Sequence, residues 1–109
     1  MQHTYTTVAD IVLRDTDVVP AGSVLRVTWS DTPAGVQLVT WADAPGGERI
    51  LRLKGRSIGR ALAGEVPSPD QLEEWTFDSV CETPTGDEVE PDGYGQDGCP
   101  SWLLLLGMV

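Results

Sequence analysis

Gly55-Arg-Ser-Ile-Gly59 has the G-x-S-x-G spacing of a nucleophile elbow, in which a serine on a strand-to-helix turn is activated by a histidine later in the chain. The one histidine is His3, far upstream, so the order fails and Ser57 is read as a helix N-cap. Cys81, Cys99 and His3 are the only nitrogen and sulfur ligands of the zinc type, short of the four that a structural zinc site takes. Glu90, Asp92 and Asp97 lie among glycines but lack the D-x-[DN]-x-[DN]-G spacing of a calcium loop, and they read as a solvated stretch. Neither a G-x-x-x-x-G-K-[ST] phosphate loop nor a G-x-G-x-x-G turn is present. No catalytic residue, metal ligand or cofactor is expected, and the chain reads as a binding protein rather than an enzyme.

The strongest chemical signal is charge. Residues 61–109 hold eleven carboxylates and no lysine or arginine, a formal −11, within a chain of net charge −10. Such a surface repels phosphates, which disfavours direct binding to nucleic acid, and attracts cationic surfaces. Asp70, Glu73 and Glu74 are accounted for by a helix that begins near them, because carboxylates suit a helix N-terminus. That leaves Asp87, Glu88, Glu90, Asp92 and Asp97, with Tyr94 among them, as the candidate partner-binding residues. Glu88 and Glu90, at alternate positions of a strand, would recur every ~6.6–6.8 Å. Duplex DNA presents one charge per ~1.7 Å of axis, so the acidic strand is a sparser ladder of the same sign. Five of the seven bases, Arg49, Arg52, Lys54, Arg56 and Arg60, fall within twelve positions. They are read as ion-paired to the acidic half of the same molecule, with contact to phosphate as the competing reading.

The elements that must carry these residues are mainly β, with one or two short helices. At 109 residues and 40% hydrophobic content the chain fits one domain: an antiparallel meander or small barrel over 8–62 and an acidic helix-hairpin-tail extension over 63–109. Strands are expected at 8–14, at Ser23 to Trp29 with Leu25, Val27 and Trp29 on one face, and at Glu48 to Lys54 with Leu51 and Leu53 facing in. Val27-Thr-Trp-Ser-Asp-Thr-Pro-Ala-Gly35 is echoed by Val39-Thr-Trp-Ala-Asp-Ala-Pro-Gly-Gly47, six of nine positions being identical. The echo is read as two equivalent core positions on adjacent strands; its functional reading is an aromatic platform of Trp29 and Trp41. Ser68, Pro69 and Gln71 make a capping arrangement for a helix near Pro69 to Trp75. Trp75, Phe77, Ser79 and Cys81 then alternate as a strand would, followed by a turn at Pro84-Thr-Gly-Asp87 and an acidic edge strand. The last run, Trp102-Leu-Leu-Leu-Leu-Gly-Met-Val109, is expected to dock on the same chain; left in water it would be a site of dimerisation. It is too short for a bilayer, which takes roughly 20 residues as a helix. The first residues lack the basic and apolar pattern of a signal peptide, so a cytoplasmic protein with two free thiols is expected, monomeric or homodimeric.

Two resemblances add to this reading. Pro20-Ala-Gly-Ser-Val-Leu-Arg-Val-Thr-Trp29 followed by Gly35-Val-Gln-Leu-Val-Thr-Trp41 resembles SH3-like small barrels, which implies that fold over about 8–62. It also raises a second function, a peptide-binding adaptor with Trp29, Trp41 or Tyr94 in a groove. Val89-Glu-Pro-Asp-Gly93 and Gly98-Cys-Pro-Ser-Trp-Leu-Leu resemble the ends of small accessory proteins of phages and mobile elements, and the compact acidic character is similar to anti-CRISPR and anti-restriction inhibitors. That resemblance implies an inhibitor occupying the basic nucleic-acid-binding surface of a partner such as a CRISPR effector complex.

Overall fold

The computed structural model describes residues 2–13, 17–29 and 36–108. Thr4, Tyr5 and Thr6 have high β propensity and lie in the first strand, β1 (Gln2–Thr6). A short ribbon of β2 (Ile11–Val12) and β3 (Val18–Val19) follows, then β4 (Val24–Thr28), β5 (Val36–Trp41) and β6 (Arg49–Lys54). The strands β1, β4, β5 and β6 form one antiparallel sheet in that order, so β1 and β6 are its edges. Of the expected strand at 8–14, whose Arg14 lies outside the described residues, Ile11 and Val12 pair as a strand, while Val8 bonds the Ala61 carbonyl through its N–H.

Side-chain alternation sorts this sheet into a buried and an open face. His3, Val27, Val39 and Leu51 stand in one cross-strand row, and Tyr5, Leu25 and Trp41 in the next. Leu25, Val27, Val39, Leu51 and Leu53 are buried, as the alternation predicts, each contributing about 1.5–3 kcal/mol relative to an exposed position. The echo places Val27 opposite Val39 and buries both Trp29 and Trp41, at 7% and 5% exposure. Neither indole is available as a platform or a groove wall, which corrects the aromatic reading. The first copy of the echoed turn, at 31–35, lies outside the described residues. On the open face stand Thr4, Thr6, Thr28, Leu38, Ile50, Arg52 and Lys54.

Three helices follow among the described residues: α1 (Gly55–Ala63), α2 (Pro69–Asp78) and α3 (Trp102–Leu105). No helix among the described residues is long and apolar enough to cross a membrane. β6 runs straight into α1, so Lys54 occupies the N-cap without a side-chain bond and Ser57 lies inside the helix rather than capping it. Ile58 and Ala61 of α1 enter the sheet's core, while Leu72 and Trp75 of α2 join Cys81, Trp102 and Leu103 in a second cluster. Leu105 belongs to the first cluster, so the terminal helix touches both. The tail therefore docks on its own chain, as expected, with Ser101 accepting the Leu104 N–H at 3.0 Å.

The start of α2 follows the sequence closely. Ser68 accepts the Gln71 N–H at 3.2 Å, and Pro69 opens the helix. Its end does not. The helix continues to Asp78 and stops at Ser79, whose φ of 58° is left-handed, so the strand expected over Trp75 to Cys81 reduces to β7 (Cys81–Glu82). Leu72 and Trp75, three apart, bury one helical face and turn Phe77 outward to 78% exposure.

Candidate functional site

The expected hairpin is present. β7 pairs with β8 (Glu88–Val89), Cys81 opposite Val89 and Glu82 opposite Glu88. The turn is closed from Thr83 to Asp87 by the Thr83 N–H on the Asp87 carbonyl at 2.8 Å and the Gly86 N–H on the Thr83 carbonyl at 2.9 Å. Gly86 supplies the positive φ, 99°, that the corner needs. Thr83 Oγ1 also accepts the Asp87 N–H at 3.1 Å.

Residues 90–101 form a tightly bonded loop. The Gly93 N–H bonds the Glu90 carbonyl, the Gly95 N–H the Cys99 carbonyl and the Ser101 N–H the Gly93 carbonyl, at 2.8, 2.8 and 3.0 Å. Tyr94 bridges to Pro100. The Ser101 hydroxyl donates to the Pro91 carbonyl, which fastens this loop to the start of α3.

Two of the six candidate residues, both partly exposed, are engaged in hydrogen bonds of the loop itself. Asp97 accepts from the Cys99 N–H at 3.1 Å, from the Thr85 hydroxyl at 3.0 Å and from the Tyr5 hydroxyl at 3.3 Å. Asp87 accepts the Gln96 N–H at 3.0 Å. A Cβ on Gly95 would overlap Asp87 Oδ2 and lie 3.1 Å from Asp97 Oδ1, so both carboxylates are folded over that glycine. They satisfy loop donors from partly exposed positions. Glu88, Glu90 and Asp92 are exposed, and Tyr94 is 44% exposed.

The structure also adds residues. Because β7 and β8 are in register, Glu82 and Glu88 are cross-strand neighbours on one face, a like-charge contact that destabilises the bare hairpin. In α2 only Asp70 lies in the first turn. Glu73 and Glu74 sit beyond it, and Asp78 stands at the C-terminal end with no base in the last turn, where the dipole opposes a carboxylate. The dipole therefore does not account for these acids, contrary to the expectation from sequence. Asp70, Glu73, Glu74, Asp78, Glu82, Glu88, Glu90 and Asp92 are all exposed, and none is ion-paired among the described residues. Asp78 and Glu82 are four residues apart, so the last acid of α2 lies within about 14 Å of the first acid of the hairpin. Phe77, next to Asp78, is exposed. The like-charge register, the real end of α2 and the outward turn of Phe77 depend on tertiary packing, and only the absence of bases hinted at them.

The bases do not neutralise these acids. The ion pairs among the described residues join Arg26 to Glu48 and, at 3.0 Å, Arg49 to Asp17, both acids of the first half. Arg52, Lys54, Arg56 and Arg60 make none among the described residues, which corrects the internal pairing read from sequence.

Ser57 makes no side-chain hydrogen bond to a base among the described residues, and His3 packs on Tyr5 with ring centroids 4.8 Å apart. No group of three or more His, Cys, Asp or Glu among the described residues is placed to hold a metal ion. Both cysteines are free and buried. The chain matches no protein-family model, no curated protein sequence and no solved structure.

Proposed function

We propose that this chain is a non-enzymatic, cytoplasmic binding protein whose acidic face occupies the basic, nucleic-acid-binding surface of a partner, of the kind a CRISPR effector complex presents. One observation carries the reading: eight carboxylates of α2, the β7–β8 hairpin and the loop that follows it are exposed and unpaired among the described residues, two of them held side by side at Glu82 and Glu88. An arrangement that repels itself in the free protein is relieved when a cationic surface covers it. Phe77, exposed beside Asp78, supplies an apolar anchor, and aromatic residues are enriched in protein interfaces. The adaptor reading loses its tryptophans to the core and keeps only Tyr94. The SH3-like fold remains part of this proposal; the strands pair as one open four-stranded antiparallel sheet and two ribbons, without a closed barrel among the described residues.

The test is affinity capture from host lysate with salt-gradient elution, followed by competition of the captured partner against DNA or RNA. A partner eluted by salt and competed by nucleic acid supports the proposal. A variant with Glu82, Glu88 and Glu90 changed to Gln and Asp92 to Asn should lose affinity. Full affinity in that variant, or recovery of partners indifferent to salt, would remove the decoy reading.

A further inference from the structure

Lys54 and Arg56 flank Gly55 where β6 becomes α1, and both side chains are exposed with no carboxylate partner among the described residues. Beside them lies a groove of about 320 Å³, whose remaining lining is Leu72, Leu105, Leu106 and Met108. Gly55 makes the groove's wall thin: a Cβ there would overlap the Leu105 carbonyl oxygen, so the helix start and the terminal segment meet through backbone.

We propose that this groove binds a small amphiphilic carboxylate of medium-chain fatty-acid size, with its headgroup between Lys54 and Arg56 and its alkyl chain against Leu72, Leu105, Leu106 and Met108. The volume falls at the lower end of the ~300–1,000 Å³ typical of small-molecule sites. The lining has the composition of such sites, mostly apolar with a few charged groups that fix orientation. Charge complementarity selects the headgroup. Lys54, Gly55 and Arg56 are consecutive, so the positive charge is confined to one wall and the opposite wall is aliphatic. No side chain caps the first turn of α1, and its N–H groups add to the positive potential at that wall. A cationic amphiphile would meet repulsion there, and a neutral one would leave both cations unanswered.

This site is distinct from the carboxylate surface and is tested apart from it. The full chain is titrated with decanoate and, separately, with decyltrimethylammonium, both below micelle-forming concentrations, while methyl resonances are followed by NMR. Decanoate should give saturable shifts centred on Leu72, Leu105, Leu106 and Met108, and decyltrimethylammonium should not. The double variant K54Q/R56Q should bind decanoate at least ten-fold more weakly. Its circular dichroism and urea midpoint should match those of the parent, since both side chains are exposed. The absence of saturable shifts with decanoate, undiminished binding by a folded K54Q/R56Q, or equal binding of the cationic amphiphile would each overturn the proposal.

Discussion

The hydroxyl of Tyr5 accepts the indole N–H of Trp29 across 2.8 Å and in turn donates to Asp97 at 3.3 Å. The first strand is thereby fastened both to β4's end and to the acidic loop 92 positions away. Tyr5→Phe should cost about 1–3 kcal/mol, because it leaves a buried indole N–H without an acceptor. Asp97→Ala should cost more, since it takes the acceptor from the part-buried Tyr5 hydroxyl and Cys99 N–H together. Urea unfolding midpoints measure both, and a stability unchanged in Asp97→Ala would show that these bonds do not hold the loop.

Stability should fall in alkali. Burial first, and then the charge of Asp97, pushes the Cys99 thiol up from 9.0 to about 12, and burial likewise raises Tyr5 above its ordinary 10.0. Both groups stay protonated in the fold while the unfolded chain begins to release their protons above about pH 9. The unfolded state then binds fewer protons, so their contribution is intact below pH 9 and is lost as pH rises toward 12. Thermal midpoints between pH 8 and 11 should decline, and Cys99→Ala should flatten the decline. An equal slope in that variant would mean that other groups govern it.

Gly59→Ala should destabilise even though alanine favours a helix by about 1 kcal/mol. A Cβ at that position would lie 2.6 Å from Cη2 of Trp102, whose indole covers the helix there. Overpacking of this kind costs about 1–3 kcal/mol, and the propensity gain offsets only part of it. A lowered urea midpoint, together with altered Trp fluorescence, checks this.

Where one face of a strand is buried, the sequence alone sorted the residues correctly: Leu25, Val27 and Trp29 face in, and Ile50, Arg52 and Lys54 face out. The Ser68–Gln71 cap was equally legible, because its partners lie three residues apart. What failed depended on distant partners. Trp75 and Phe77 alternate like strand residues, yet Trp75 is claimed by Trp102 and Leu103 from the far end of the chain, which keeps that stretch helical. Gly59 weakens a helix locally and is required by the same Trp102. Asp87 and Asp97 look like their acidic neighbours in composition, and only the folded loop shows that they accept from backbone and hydroxyl donors. The candidate surface was thus visible as a charge imbalance, but its membership was not.

The last prediction separates a functional acidic face from one that only confers solubility. Glu82 stands directly opposite Glu88, so Glu82→Thr removes a like-charge pair and introduces a residue suited to a strand. The folded protein should gain about 0.2–1 kcal/mol, read as a higher urea midpoint. Glu74→Gln should act in the same direction, because Glu74 and Asp78 are exposed like charges at i and i+4, worth about 0.2–0.5 kcal/mol. If these acids serve a partner, both stabilised variants should bind it more weakly, with the loss greatest at low ionic strength, where surface charges are least screened. Phe77→Ser should weaken binding at every salt concentration while leaving stability nearly unchanged, since the ring is exposed in the free protein. Stabilised variants that keep full affinity would show that the repulsion between Glu82 and Glu88 serves no interface.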